Sequence, residues 1–139
     1  MAAKGLEGID ETVQLTYSWL NEIAADLGSD RHGAYSALRA VLHTLRDRLT
    51  IDESAQFAAQ LPMLVRGIYY EGWDPRQEWH AERDPETFLA QVGGEARLER
   101  GDSEWAVHAV SQVLANHVSA GEWNEVLAEL PRAVRELLI

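Results

Sequence analysis

Between residues 69 and 83 the chain gathers side chains that could carry chemistry: Tyr69, Tyr70, Trp73 and Trp79, interleaved with Glu71, Asp74, Arg76, Glu78, His80 and Glu82. Tyr, Trp and Arg dominate the energetics of protein interfaces, so this cluster is a candidate partner-binding patch. The competing reading makes Trp73 structural: Gly72 adopts a left-handed backbone, Pro75 stops the helix, and the indole folds back onto the body. Glu78, His80 and Glu82 are acceptable ligands for a transition metal. Alternation along a connecting segment fixes no coordination geometry, however, and the Glu-x-x-His spacing of di-iron helical bundles does not occur. His32, His43, His108 and His117 fall at no recurrent ligand spacing. No metal and no cofactor are expected.

A second group is the basic stripe Arg39, His43 and Arg46, which falls on one helical face beside Arg31 and His32. It could dock an acidic partner or a ligand carboxylate. The plainer reading is a solvated helix face whose arginine stems pack along the surface, partly neutralised by Asp47. Neither a Gly-x-Ser-x-Gly elbow, a glycine-rich phosphate loop nor His-Glu-x-x-His is present, and Gly93-Gly94 reads as a helix end. No catalytic constellation emerges, and the chain is not expected to be an enzyme.

Composition narrows the setting. With 139 residues, 46% of them hydrophobic and 25% charged, the chain suits a single domain, 1–139, with a substantial core. Twelve basic against 23 acidic residues leave a net charge of −11, which disfavours nucleic acid and anionic membrane surfaces as main partners. The absence of cysteine rules out disulfides and thiolate zinc sites. Met1-Ala2-Ala3-Lys4-Gly5 lacks a signal-peptide pattern, and no apolar run approaches the roughly 20 residues of a membrane span. A cytoplasmic location is expected.

The elements that must hold these groups are helices. Ile9, Val13, Tyr17, Leu20, Ala24 and Leu27 recur at helical steps, with Asp10 a candidate cap and Gly28 the stop. Tyr35, Leu38, Leu42, Leu45 and Leu49 mark a second helix. Thr50-Ile51-Asp52-Glu53 reads as a capping box in which side chain and amide bond reciprocally. It opens a third helix toward Leu61, and Pro62 opens a fourth over 63–70. After a linker, 71–83, Asp84-Pro85 starts a fifth helix through Phe88, Leu89 and Val92. Asp102 is a candidate cap for a sixth, Ser119/Glu122 forms a second capping box for a seventh, and Pro131 precedes an eighth. Strand signals are absent.

The two halves align at one constant offset, without a gap. Trp19-Leu20 falls on Phe88-Leu89, Ala37, Ala40, Val41 and Leu45 on Ala106, Ala109, Val110 and Leu114, and Pro62, Val65 and Arg66 on Pro131, Val134 and Arg135. Coincident caps and prolines are harder to produce by chance than coincident apolar residues. The expected fold is therefore all-α, a bundle of about eight helices from two tandem four-helix units, 15–70 and 84–139, related by a pseudo-twofold axis. The sixth helix, with Ala106, Ala109 and Val113 widening its apolar side, is expected to be more buried than the second.

The runs Ala37-Leu38-Arg39-Ala40-Val41-Leu42-His43, Leu45-Arg46-Asp47-Arg48-Leu49 and Gln60-Leu61-Pro62-Met63-Leu64-Val65-Arg66-Gly67-Ile68-Tyr69-Tyr70-Glu71-Gly72-Trp73 resemble the small bacterial proteins grouped as Domain of Unknown Function 2267. The resemblance implies a bacterial, helical, single-domain protein, and it brings no catalytic residues with it. The reading that follows is a non-enzymatic protein-interaction module, which binds a protein partner or itself through a groove between the copies or through the Trp105 and Trp123 side. The alternative is a small-molecule-binding protein or enzyme with a pocket between the repeats.

Overall fold

The computed structural model describes residues 6–76 and 84–139, and among them all regular structure is helical, with no strand. Eight helices follow one another: α1 Glu7–Leu27, α2 Arg31–Arg46, α3 Ile51–Ala58, α4 Met63–Tyr70, α5 Pro85–Ala96, α6 Arg100–His117, α7 Ala120–Glu129 and α8 Arg132–Arg135. None of the described helices is long and apolar enough to cross a membrane.

Local chemistry explains most boundaries. Gly28, at φ +66°, turns α1 off in the left-handed region that glycine enters at low cost. The Asp30 carboxylate accepts from the Gly33 amide at 2.9 Å and caps α2. Thr50 and Ser119 cap α3 and α7 by accepting from the Glu53 and Glu122 amides, each at 3.2 Å. Asp84 caps α5, with Pro85 in the first turn, where its missing N–H costs nothing.

Three expected boundaries move. The first helix begins beyond Leu6 rather than at Asp10, and α6 is capped at Glu99 rather than Asp102. Gly93-Gly94 lies inside α5, which runs on to a left-handed Arg97 at φ 59°. Gly93 is required for closeness, not for termination. A Cβ there would sit 2.7 Å from the Leu98 carbonyl and 2.8 Å from Ser103 Oγ.

The core forms around α2, whose Ala37, Leu38, Val41, Leu42 and Leu45 are at most 1% exposed. It packs against α1, α4, α5 and α6, while α1 also meets α6, α5 meets α6, and α3 meets α7. The expectation that α6 is the more buried helix is reversed: 10 of the 16 residues of α2 are buried against 8 of 18 in α6. Both helices bury polar groups, His43, Thr44 and Arg46 on α2 and Ser103 and Ser111 on α6, but those of α2 include two large side chains. On α1 the buried face is Thr12, Thr16, Trp19, Leu20 and Ile23, and Ile9 and Tyr17 are exposed. Hydrogen bonding makes that shift tolerable. Thr16 Oγ1 donates to the Thr12 carbonyl at 2.7 Å, and Thr12 Oγ1 accepts from the Leu64 amide at 3.0 Å.

Candidate functional site

The basic stripe of α2 is neither a solvated face nor a free docking surface. His43 is 4% exposed, and its two ring nitrogens face Glu95 Oε2 and the Ile68 carbonyl, each at 2.7 Å. Arg46, also buried, donates from Nη1 to the carbonyls of Tyr69 and Glu71 at 2.9 Å, and its Nε donates to Asp47 at 3.1 Å. These carbonyls end α4, where a cation compensates both the unpaired acceptors and the negative end of the helix dipole. Arg39 is half-buried and bridges Glu71 at 2.6 Å and Glu95 at 3.3 Å. Its hydrogen bond holds the Glu71 carboxyl below the usual range. The stripe thus fastens α2 to α4 and α5, which leaves His43 and Arg46 unavailable to a partner.

The aromatic cluster divides in the same way. Tyr69 is fully buried, shares a 2.6 Å hydrogen bond with Ser54, and is held protonated by burial. Tyr70 and Trp73 are half-buried and lie ring to ring at 5.3 Å. Glu71 (φ −58°, ψ 122°), Gly72 at φ +76° and a 3.0 Å bond from the Trp73 amide to the Tyr70 carbonyl make a type II turn that folds the indole back. Trp79, with the Glu78, His80 and Glu82 alternation, lies outside the described residues.

Two further ring and polar clusters occupy positions that the alignment of the halves pairs, Arg48 with His117 and Trp19 with Phe88. Arg48 lies 5.1 Å over the Phe88 ring and donates to Gln91 at 2.7 Å. His117 stacks on Trp19 at 5.1 Å and meets Glu22 at 2.7 Å. Gln91 in turn donates to Asp47 at 2.8 Å, which joins the first cluster to the α2 network.

The contrast between the α2–α5 and α1–α6 contacts locates an open surface. On the α2–α5 side Arg39, His43 and Glu95 bond across the helix contact, beside a dent of about 300 Å³ at Tyr35 and Glu71. The same alignment pairs these three with His108, Gln112 and Asp26, which line an open groove of about 560 Å³ together with Glu22, Ala25 and Asn116. It continues past Glu22 and Ala25 into a depression of about 540 Å³ beside Tyr17 and Asn21. Tyr17 is 46% and Trp105 54% exposed, and the Trp105 ring lies 6.2 Å from that of His108.

At the other contact between the halves, the second half of each expected capping box is missing. Among the described residues, neither the Thr50 amide nor the Ser119 amide donates to its own box glutamate; the latter donates to Gln60 Oε1 at 3.2 Å. The Glu53 and Glu122 carboxylates instead approach one another and Glu125, with one oxygen from each of the three mutually within 4.8 Å. Burial and the neighbouring carboxylates push Glu53 up to about 7. Sequence reasoning missed this trio. Both boxes were visible, but their meeting across α3 and α7 is a tertiary fact.

None of the curated proteins compared with the chain matches it. The family described as "Uncharacterized conserved protein (DUF2267)" matches residues 16–137, nearly the whole chain, in agreement with the resemblance read from the α2 and α4 motifs. The protein belongs to that family.

Proposed function

We propose that this protein is a non-enzymatic protein-interaction module built from two tandem helical units, 15–70 and 84–139, related by a pseudo-twofold axis, and that the groove between α1 and α6 is its binding surface. The duplication reading is supported by recurrence at one offset. The starts of α2, α3 and α4 at 31, 51 and 63 recur at 100, 120 and 132, and the left-handed stops at Gly28 and Arg97 stand in the same relation. The pairings are reciprocal, with α2 against α5 and α1 against α6.

The observation that carries the functional reading is that Arg39, His43 and Glu95 are bonded to one another and to α4 on the α2–α5 side, whereas the residues aligned with them, His108, Gln112 and Asp26, line an open groove between α1 and α6. In that groove Glu22 and Asp26 supply negative charge, His108, Gln112 and Asn116 supply polar contacts, and Tyr17 and Trp105 stand exposed nearby. An open groove with aromatic flanks and acidic residues suits a basic amphipathic helix of another protein laid into it. A bacterial, cytoplasmic setting belongs to the same reading and rests on composition and family. The alternative of a small ligand is weaker, because the depressions are wide and open where ligand pockets are enclosed.

Ala25 is exposed and lines both parts of the groove, so Ala25→Arg should block it without disturbing the core. Purification of the tagged protein at native levels from its host should yield a partner that is lost with Ala25→Arg while helicity by circular dichroism is unchanged. Identical co-purifying proteins for both forms would contradict the proposal.

A further inference from the structure

The acidic trio between α3 and α7 has features that a solvated cluster lacks. Glu53 is 7% exposed, and its Oε1 is buried without a hydrogen-bond partner among the described residues. Glu122 Oε2, on the facing helix, is likewise buried, and the bond open to the pair without a ligand is one to each other through a shared proton. A buried acceptor left unbonded is costly, and two of them converging in one place call for something that both can bond. None of the ion pairs among the described residues involves Glu53, Glu122 or Glu125. The groups that act on Glu53 are Glu122, Glu125 and Glu129, all of them acidic.

We propose that Glu53, Glu122 and Glu125 bind one divalent, oxygen-preferring cation of the Ca²⁺ or Mn²⁺ class, which bridges α3 to α7. The donor set is three carboxylates without nitrogen or sulfur, the choice of hard cations. Oxygens within 4.8 Å of one another can each reach a central ion at about 2.1–2.6 Å by small side-chain rotations, with water completing the shell on the exposed Glu125 side. Glu53 and Glu122 occupy the same place in their capping boxes, so the ion ties together the two segments that begin at Thr50 and Ser119. A shared proton is the competitor. This site lies away from the α1–α6 groove, so the two proposals stand or fall separately.

The test uses the whole chain, stripped with EDTA and exchanged into buffer at pH 8. MnCl2, CaCl2 and MgCl2 are titrated in by calorimetry, with melting temperature followed in parallel. Saturable binding of one ion per chain, with a raised melting temperature, is expected for at least one of the three. Glu53→Gln and Glu122→Gln should weaken it at least about tenfold. Glu125→Gln, at an exposed position that does not threaten folding, should weaken it as well. Absence of saturable binding below about 1 mM would overturn the proposal and leave a carboxyl pair holding a proton. Binding that survives all three substitutions would overturn it equally, by placing the ion elsewhere.

Discussion

Arg66 and Arg135, which fall on one another when the halves are aligned, make the same bonds. Nε of Arg66 donates to the Ala58 carbonyl at 2.9 Å and Nη2 to Leu61 at 2.9 Å, while Arg135 donates to Leu127 at 2.9 Å and Leu130 at 3.1 Å. Each guanidinium thereby serves carbonyls at the end of one helix from the start of the next. Arg66→Ala and Arg135→Ala should each destabilise the fold, by about 1–3 kcal/mol for lost charge-assisted bonds. Urea denaturation of the two variants measures this. A substantial loss for one and none for the other would show that the two corners do not bear equivalent loads.

His43 and Gln112 form the opposite kind of pair, equivalent in position and unequal in burial. His43→Ala removes two buried bonds, one to the Ile68 carbonyl and one to Glu95, which keep only the Glu71 amide and Arg39 respectively, and should cost about 1–3 kcal/mol. Gln112→Ala changes an exposed groove residue and should stay within about 0.5 kcal/mol. Chemical denaturation of both variants should separate them clearly. Equal effects would mean that the α2–α5 contact is not held by His43.

Glu53 gives the stability a pH dependence of definite sign. Its folded-state value of about 7 lies above the ordinary 4.5, so between those limits the folded chain holds more protons than the unfolded one. Stability from this group is full below about pH 4.5 and is lost as the pH rises toward 7. In EDTA, Glu53→Gln should therefore gain on the parent chain progressively between pH 5 and pH 8, as followed by denaturant melts at each pH. A difference that is flat across that window would remove the carboxylate pair from the account.

Adjacent glycines in α5 should respond with opposite signs. Gly93→Ala forces a Cβ against the Leu98 carbonyl and should cost about 1–3 kcal/mol. At Gly94 a Cβ meets nothing within 4 Å, so Gly94→Ala should stabilise by about 0.5–1 kcal/mol through helix propensity. Thermal melts of the two single variants are sufficient. Stabilisation by both would indicate that α5 and the start of α6 are not in the close contact described.

What could be read from the sequence was whatever local chemistry decides. Thr50, Asp84 and Ser119 act where short polar side chains meet helix starts, and Pro62 and Pro131 stand immediately before α4 and α8. Gly28 stopped α1 because only backbone geometry was at issue. The misread features depend on tertiary contacts that the helical pattern does not carry. Thr12 and Thr16 lie on the face of α1 that packs against the other helices, with their hydroxyls satisfied by the Leu64 amide and the Thr12 carbonyl, and the sequence stripe through Ile9 and Tyr17 carries no trace of that. His43 and Arg46 look like a solvated face until Glu95 and the α4 carbonyls are placed against them. Gly93 resembles a helix end because the sequence does not reveal how closely Leu98 approaches. For the same reason the capping boxes of Glu53 and Glu122 could be recognised separately, and their encounter could not.

The claim on which the functional reading depends is that another protein occupies the groove between α1 and α6. A photo-crosslinking amino acid placed at Gln112, inside the groove, or at Ile51, exposed at the start of α3, tests it in the living host. The account predicts a discrete crosslinked partner from position 112 that is absent from position 51 and that disappears when Ala25→Arg is added. No adduct at 112, or the same adducts at both positions, would contradict it.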